Sequence, residues 1–326
     1  MKNWLWIAVA CLGLSACDRS TPDAVGEANV ADTAAIEAET ARLNEWFEEK
    51  YEEEVLRSPV TLTFYGRKEK YDQIDDLSEA AELADLEWRR QTVEEMESSF
   101  GYELLSAEAK LSYDLWKYQY DDEASGIQFM GNDYVFEQSG AIQSFMTSFL
   151  INFHRIESES DFEAFVARLG AMETAMDQLL VRARKYAANG VRPPKFAYEG
   201  VLEQAQKIIG GAPFSEQDDS AIWAHAQTAI DGLVSSEATD EARADELRNA
   251  AKAALLEHFM PAYQRLIAWV NEDMPNADVI ATGVGKQPNG KAYYNRQLRT
   301  STTTDMTADE IHELGLAEVA RIRGQL

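Results

Sequence analysis

Between Phe162 and Leu180 the apolar residues Phe162, Phe165, Val166, Leu169, Met176, Leu179 and Leu180 recur at helical spacing. A stripe of that length is stable only if other elements cover it along several turns, so the chain must supply a set of packed helices. Ser160 and Glu163 have the spacing of a capping box at its start, and Gly190 ends it. Segments of the same period lie on both sides, no internal repeat is evident, and nothing reads as a parallel βαβ unit. The expected fold is mostly α, a bundle-like array of long helices, with a small β hairpin or extended segment near the C-terminus.

The other helices are expected at Asp32–Leu56, Leu77–Phe100, Ala107–Tyr120, Ala141–Phe153, a short one from Pro193-Pro194 to Gly210-Gly211, Ala221–Leu233 and Glu241–Val270. Pro59 should break the first, Leu62–Gly66 should be a turn, and Pro261 should kink or restart the last. On the Ala107 helix, Leu111, Leu115, Trp116 and Tyr120 read as the core side. Ile127, Phe129, Tyr134 and Phe136 suggest a hairpin around Gly131-Asn132. Tyr293 to Asp305, rich in Tyr and Thr, reads as extended. Thr307 and Glu310 cap a final helix that begins at Ile311.

The 326 residues carry a formal net charge of -27. That balance excludes nucleic-acid binding, which needs clustered Lys and Arg to neutralise phosphates. Cys11 and Cys17 are the two cysteines, so neither a disulfide framework nor a zinc-cysteine site is available to the body of the protein. Lys2 followed by the apolar run Trp4–Leu14 is too short to span a membrane comfortably. The segment resembles a bacterial lipoprotein signal, with Leu14-Ser15-Ala16-Cys17 as its lipobox. The resemblance implies cleavage before Cys17 and acylation of its thiol, which would make membrane lipid a partner. Asp18 resembles the inner-membrane retention signal, implying an envelope protein on the periplasmic face of the inner membrane. The organisation expected is signal and lipobox at 1–17, a polar tether at 18–32 and a helical domain at 33–326.

The chemistry-bearing residues are sparse. His154, His225, His258 and His312 include no pair at metal-ligand spacing. His312-Glu313 begins like an H-E-x-x-H zinc helix, but Leu316 stands where the second ligand must be. Gly283, Gly285 and Gly290 lack the spacing of a phosphate loop. An extended Thr300–Thr304 segment would offer backbone groups to a peptide by strand addition. Thr302, Thr303, Thr304 and His312 are thus candidates to line a cleft, Tyr293, Tyr294 and Glu313 join them only through the resemblance given next, and no catalytic or metal-ligand residue is assigned.

Tyr293-Tyr294, Thr302-Thr303-Thr304-Asp305 and the block Glu310–Val319 resemble the bacterial domain-of-unknown-function 885 proteins. His154, Asp161, Arg168-Leu169, Gly190, Pro193-Pro194 and Pro213-Phe214 fit the same pattern. The resemblance implies a helical, gluzincin-like metallopeptidase relative of which this chain is the N-terminal half. The family's His-Glu-x-x-Pro-Gly-His-His zinc motif is absent here, so no cofactor is expected in this chain, although zinc is expected in a longer member. The resemblance thus implies the scaffold portion of an envelope hydrolase, inactive alone, with a separately encoded C-terminal half as a possible partner. The alternative is a lipid-anchored, non-catalytic peptide-binding or interaction module.

Labelling cells with a radioactive fatty acid should mark the wild-type protein and leave Cys17→Ala unmarked. Equal labelling of both would remove the lipobox reading.

Overall fold

The computed structural model describes residues 25–139 and 142–325. Twelve α-helices occupy them: α1 Val25–Arg57, α2 Pro59–Phe64, α3 Glu79–Ser99, α4 Ala107–Gly126, α5 Ile142–Asn152, α6 Glu159–Ala188, α7 Lys195–Ile208, α8 Ala221–Ser235, α9 Glu241–Ala254, α10 Met260–Asp273, α11 Gly290–Thr302 and α12 Ala308–Arg323. Signal peptide and lipobox lie outside the described residues, and residues 25–32 of the expected tether form the start of α1.

The Phe162–Leu180 stripe organises the larger of two cores. Its residues are buried on α6, Val166 only in part, and meet α9 and α10, with α5, α7 and α8 closing the same core. The helix starts two residues earlier than the capping-box reading placed it. Ser158, not Ser160, is the N-cap, and its Oγ accepts from Asp161 N. Between α9 and α10 the backbone widens into a π turn at Leu255–Phe259, and Pro261 sits in the first turn of α10. The helix therefore absorbs the missing proline N–H in a wide turn.

A smaller core joins α1, α3 and α4 through Leu43, Trp46, Met96, Phe100, Ala109 and Tyr113. Trp46 meets Trp116 edge-on at 5.5 Å. Here the expected inward face of α4 is corrected. Leu111 and Leu115 are 61% and 50% exposed, whereas Ala109 and Tyr113 are buried. The aromatic contacts of Tyr113 and Trp116 rotate the helix toward α1, and the two leucines turn outward.

No strand forms among the described residues, which corrects the expected hairpin and extended segment. Ile127–Asn132 is a 3-10 turn, and the Asn132 amide donates to Gln287 Oε1 and the Pro288 carbonyl rather than to a strand ladder. Residues 290–302 are helical although Tyr and Thr favour strands. Asn289 enters with a left-handed φ of 56°, and a Cβ on Gly290 would stand 2.0 Å from the Val284 carbonyl oxygen. Tertiary contact overrides propensity here: Tyr293 is buried beside Phe129. Leu62–Gly66 is likewise mostly helix, because Ser58 caps α2 and Pro59 fits its first position. The final capping box is present as expected, with Thr307 and Glu310 bonding reciprocally. No residue of α12 is buried.

Arg168 of α6 is completely buried. Its guanidinium donates to the carbonyls of Gln73 (2.7 Å) and Pro59 (3.2 Å), to Thr63 Oγ1 (2.7 Å) and to His154 Nδ1 (2.9 Å). It also lies over the rings of Tyr71 and Phe149. None of these partners is charged. His154 Nε2 donates to the Asp161 carbonyl, and Tyr71 stacks on the imidazole at 4.2 Å. Burial lowers the His154 pKa to about 4, and the neighbouring guanidinium acts in the same direction. The native ring is therefore neutral, in the tautomer this bonding requires.

The unfolded chain binds a proton at His154 below about pH 6.5, while the folded chain excludes it until about pH 4. The contribution is complete above pH 6.5 and falls by about 3 kcal/mol as the pH drops to 4. Urea titrations between pH 4 and 7 should show this arm, and His154→Gln, which can accept and donate in the same places, should flatten it. Arg168→Met should cost about 3–5 kcal/mol, since it leaves several buried acceptors without a donor.

A candidate binding cleft

Ser58, Asp75 and the loop after α2 show how the sequence builds one wall of a cleft. Ser58 Oγ accepts from Thr61 N and donates to Asp75 Oδ2, while Asp75 Oδ1 accepts from Val60 N. The 66–78 loop is thereby tied to the start of α2. Opposite it stand α3 and the end of α4. The cavity between them is about 1120 Å³ and is floored by Ile127, Met130 and Arg296.

Its walls mix rings and charges. Tyr51 and Tyr65 lie 6.5 Å apart at one end. Arg57 pairs with Asp85 and lies over Trp88. Arg89 bridges Glu54 (2.7 Å) and Glu123 (3.0 Å). Burial pushes the Glu123 carboxyl up, partly offset by Arg89. Seven carboxylates and four cationic side chains line the space, so its field is acidic. No histidine, cysteine or serine–histidine pair faces it, and Ser58 is committed to capping. The geometry suits holding a ligand by stacking and paired charges.

Arg296 separates this cleft from a second pocket of about 370 Å³, lined by Ser125, Phe129, Arg299, Thr304, Asp305 and Met306 among others. Arg296 Nη2 donates to the carbonyl (2.8 Å) and carboxylate (3.2 Å) of Asp122, and Thr300 Oγ1 donates to the same carboxylate. A Cβ on Gly126 would lie 2.4 Å from that guanidinium nitrogen, so the glycine admits Arg296 against the end of α4. Tyr293 donates to Asp133, and burial raises its phenol to about 12.

The residues singled out in the sequence therefore scatter. Tyr293 is buried at the cleft margin as an anchor of α11, and Tyr294 is 44% exposed. Thr302 Oγ1 donates to the Leu298 carbonyl, Thr303 ends α11 with φ 52°, and Thr304 lines the second pocket. His312 and Glu313 are exposed on α12 and line neither space. Cys17 lies outside the described residues. Strand addition at Thr300–Thr304 has no strand to extend. Trp88, Arg89, Glu123 and Arg296 were not found from sequence. Only the i, i+3 pair Arg296 and Arg299, cationic in a chain of net charge -27, offered a signal.

Zinc does not fit these residues. Among those described, no three His, Cys, Asp or Glu side chains converge on a site for a metal ion. His154 is held by Arg168, His225 faces the Phe165 ring, and His258 pairs with Glu173 at 2.7 Å. Nor is any described helix long and apolar enough to cross a membrane.

The model of the family described as bacterial protein of unknown function (DUF885) matches residues 59–326. This corrects the expectation of a likeness confined to an N-terminal half, because the match runs to the last residue of the chain. A solved structure, the "putative lipoprotein from Colwellia psychrerythraea", is 16% identical and superposes with a TM-score of 0.69 over 88% of this chain. The chain spans half the length of that protein. At this identity the likeness shows a shared fold. Comparison with curated proteins finds no match.

Gly126→Ala should push the Arg296 guanidinium off Asp122. Alanine favours the helix by about 1 kcal/mol, so global stability should change little. Amide hydrogen exchange in 290–302 should nevertheless accelerate markedly. Unchanged exchange there would show that Arg296 does not hold α11.

Proposed function

The chain belongs to the DUF885 family, and we propose that it is a lipid-anchored envelope module that binds a peptide-like ligand in the cleft between α1–α3 and the end of α4 without cleaving it. The cleft itself carries this reading. Its size is ample for several residues of an extended chain. The two tyrosines and Trp88, the latter already stacked by Arg57, offer ring surface, and the surplus of carboxylates favours basic side chains. The lack of a nucleophile–base pair and of a metal-ligand cluster among the described residues favours binding over turnover. The anchor rests on the short apolar run ending in Leu14-Ser15-Ala16-Cys17 and agrees with the description of the Colwellia protein as a lipoprotein. Membrane lipid, held through the acylated cysteine, is then one partner and the peptide the other. Residues 1–17 act as signal and lipobox, 18–32 as the link, its part from residue 25 already within α1, and 33–326 as the binding domain.

Calorimetric titration of residues 18–326 with short basic peptides, amidated at the C-terminus, should give saturable binding that weakens as salt rises. Trp88→Ala should lower affinity roughly tenfold, and mass spectrometry after long incubation should find the peptides intact. Hydrolysis that disappears in Glu123→Gln would replace this reading with an enzymatic one.

A further inference from the structure

We propose that the smaller pocket beside Arg296 receives the C-terminal carboxylate of the bound peptide, an inference that rests on the peptide-binding reading of the cleft. The chain carries 57 acidic and 30 basic residues, and most of its cations are paired. The Arg299 guanidinium makes no hydrogen bond or ion pair among the described residues, although it lines this pocket. Arg296, one turn away on the same face of α11, is held through Nη2 by Asp122, while its Nε is fully buried without a hydrogen-bond partner. A buried guanidinium N–H without an acceptor is costly, so Arg296 stands under-satisfied beside this pocket, and Arg299 is the guanidinium its occupant can reach.

The remaining lining narrows the chemistry. Asp305 is the one carboxylate there, set against two guanidinium groups. With Asp122 already paired to Arg296, little net positive charge is left at the pocket, which disfavours a dianionic phosphate and leaves Arg299 for a single carboxylate. A carboxylate matches the planar fork of arginine. Phe129 and Met306 supply apolar surface for the last side chain, and the volume of about 370 Å³ suits one terminal residue rather than a folded partner. Because Arg296 also floors the cleft, a chain lying there can turn its end into this pocket.

The test follows the side-chain Nε–H signals of Arg296 and Arg299 in labelled protein, assigned with Arg296→Gln and Arg299→Gln. N-acetyl-alanyl-leucine as the free acid should shift both signals saturably, its amide should not, and acetate should do so only at much higher concentration. Arg299→Gln should weaken the acid about tenfold or more, with partial recovery in Arg299→Lys. Equal responses to acid and amide, or no effect of Arg299→Gln, would overturn the assignment. Acetate binding as tightly as the dipeptide acid would overturn the peptide-terminus reading. Because the cleft is read separately with amidated peptides, its failure and that of the carboxylate pocket are distinguishable.

Discussion

A buried guanidinium without a counter-ion sets the terms for this fold. Arg168 retains its charge at neutral pH, since burial lowers its pKa only to about 10. It must therefore be solvated by the protein, and its solvent is two carbonyls, a hydroxyl, an imidazole nitrogen and two ring faces. These groups come from α2, from the 66–78 loop, from α5 and from the segment before α6. Each is placed by the need to reach one side chain on the central helix. The arrangement also dictates a neutral His154, because a protonated ring could not accept from the arginine.

The same restraint shapes the cleft. The loop that supplies the Gln73 carbonyl also supplies Asp75 and Asp76 to the cleft wall. A second group of helices, α1, α3 and α4, has its own aromatic core. Beside these helices the cleft wall mixes charged side chains with rings and aliphatic groups, and the space stays open as a cleft. Arg89, fixed between Glu54 and Glu123, ties α3 to α1 and α4 within this second group.

Much of this was legible in the sequence, and the failures have physical causes. The α6 stripe identified the main core because burial along one helix leaves a 3.6-residue period. The capped start at Thr307 was legible too, whereas at α6 the cap read at Ser160 is supplied by Ser158. Tyr293 to Thr302 was misjudged because its local composition favours strands, whereas Gly290 and the burial of Tyr293 select a helix. Leu111 and Leu115 were misjudged because two apolar stripes compete on α4, and only the tryptophan contacts choose between them. Of the candidate site, Thr304 alone lines a cavity directly, and Tyr293 supports one from behind.

What the sequence by itself determined is therefore local: helix content, the central stripe, the acidic balance and the sparse set of catalytic residue types. Each depends on neighbours within a turn or two, or on simple counting. The tertiary structure alone decided which charges meet. Glu54 and Glu123 come to one arginine, and Asp122 comes to Arg296 across 174 residues of chain. Such pairings leave no periodicity in the sequence, because the groups are brought together by the packing of helices and not by their spacing along the chain.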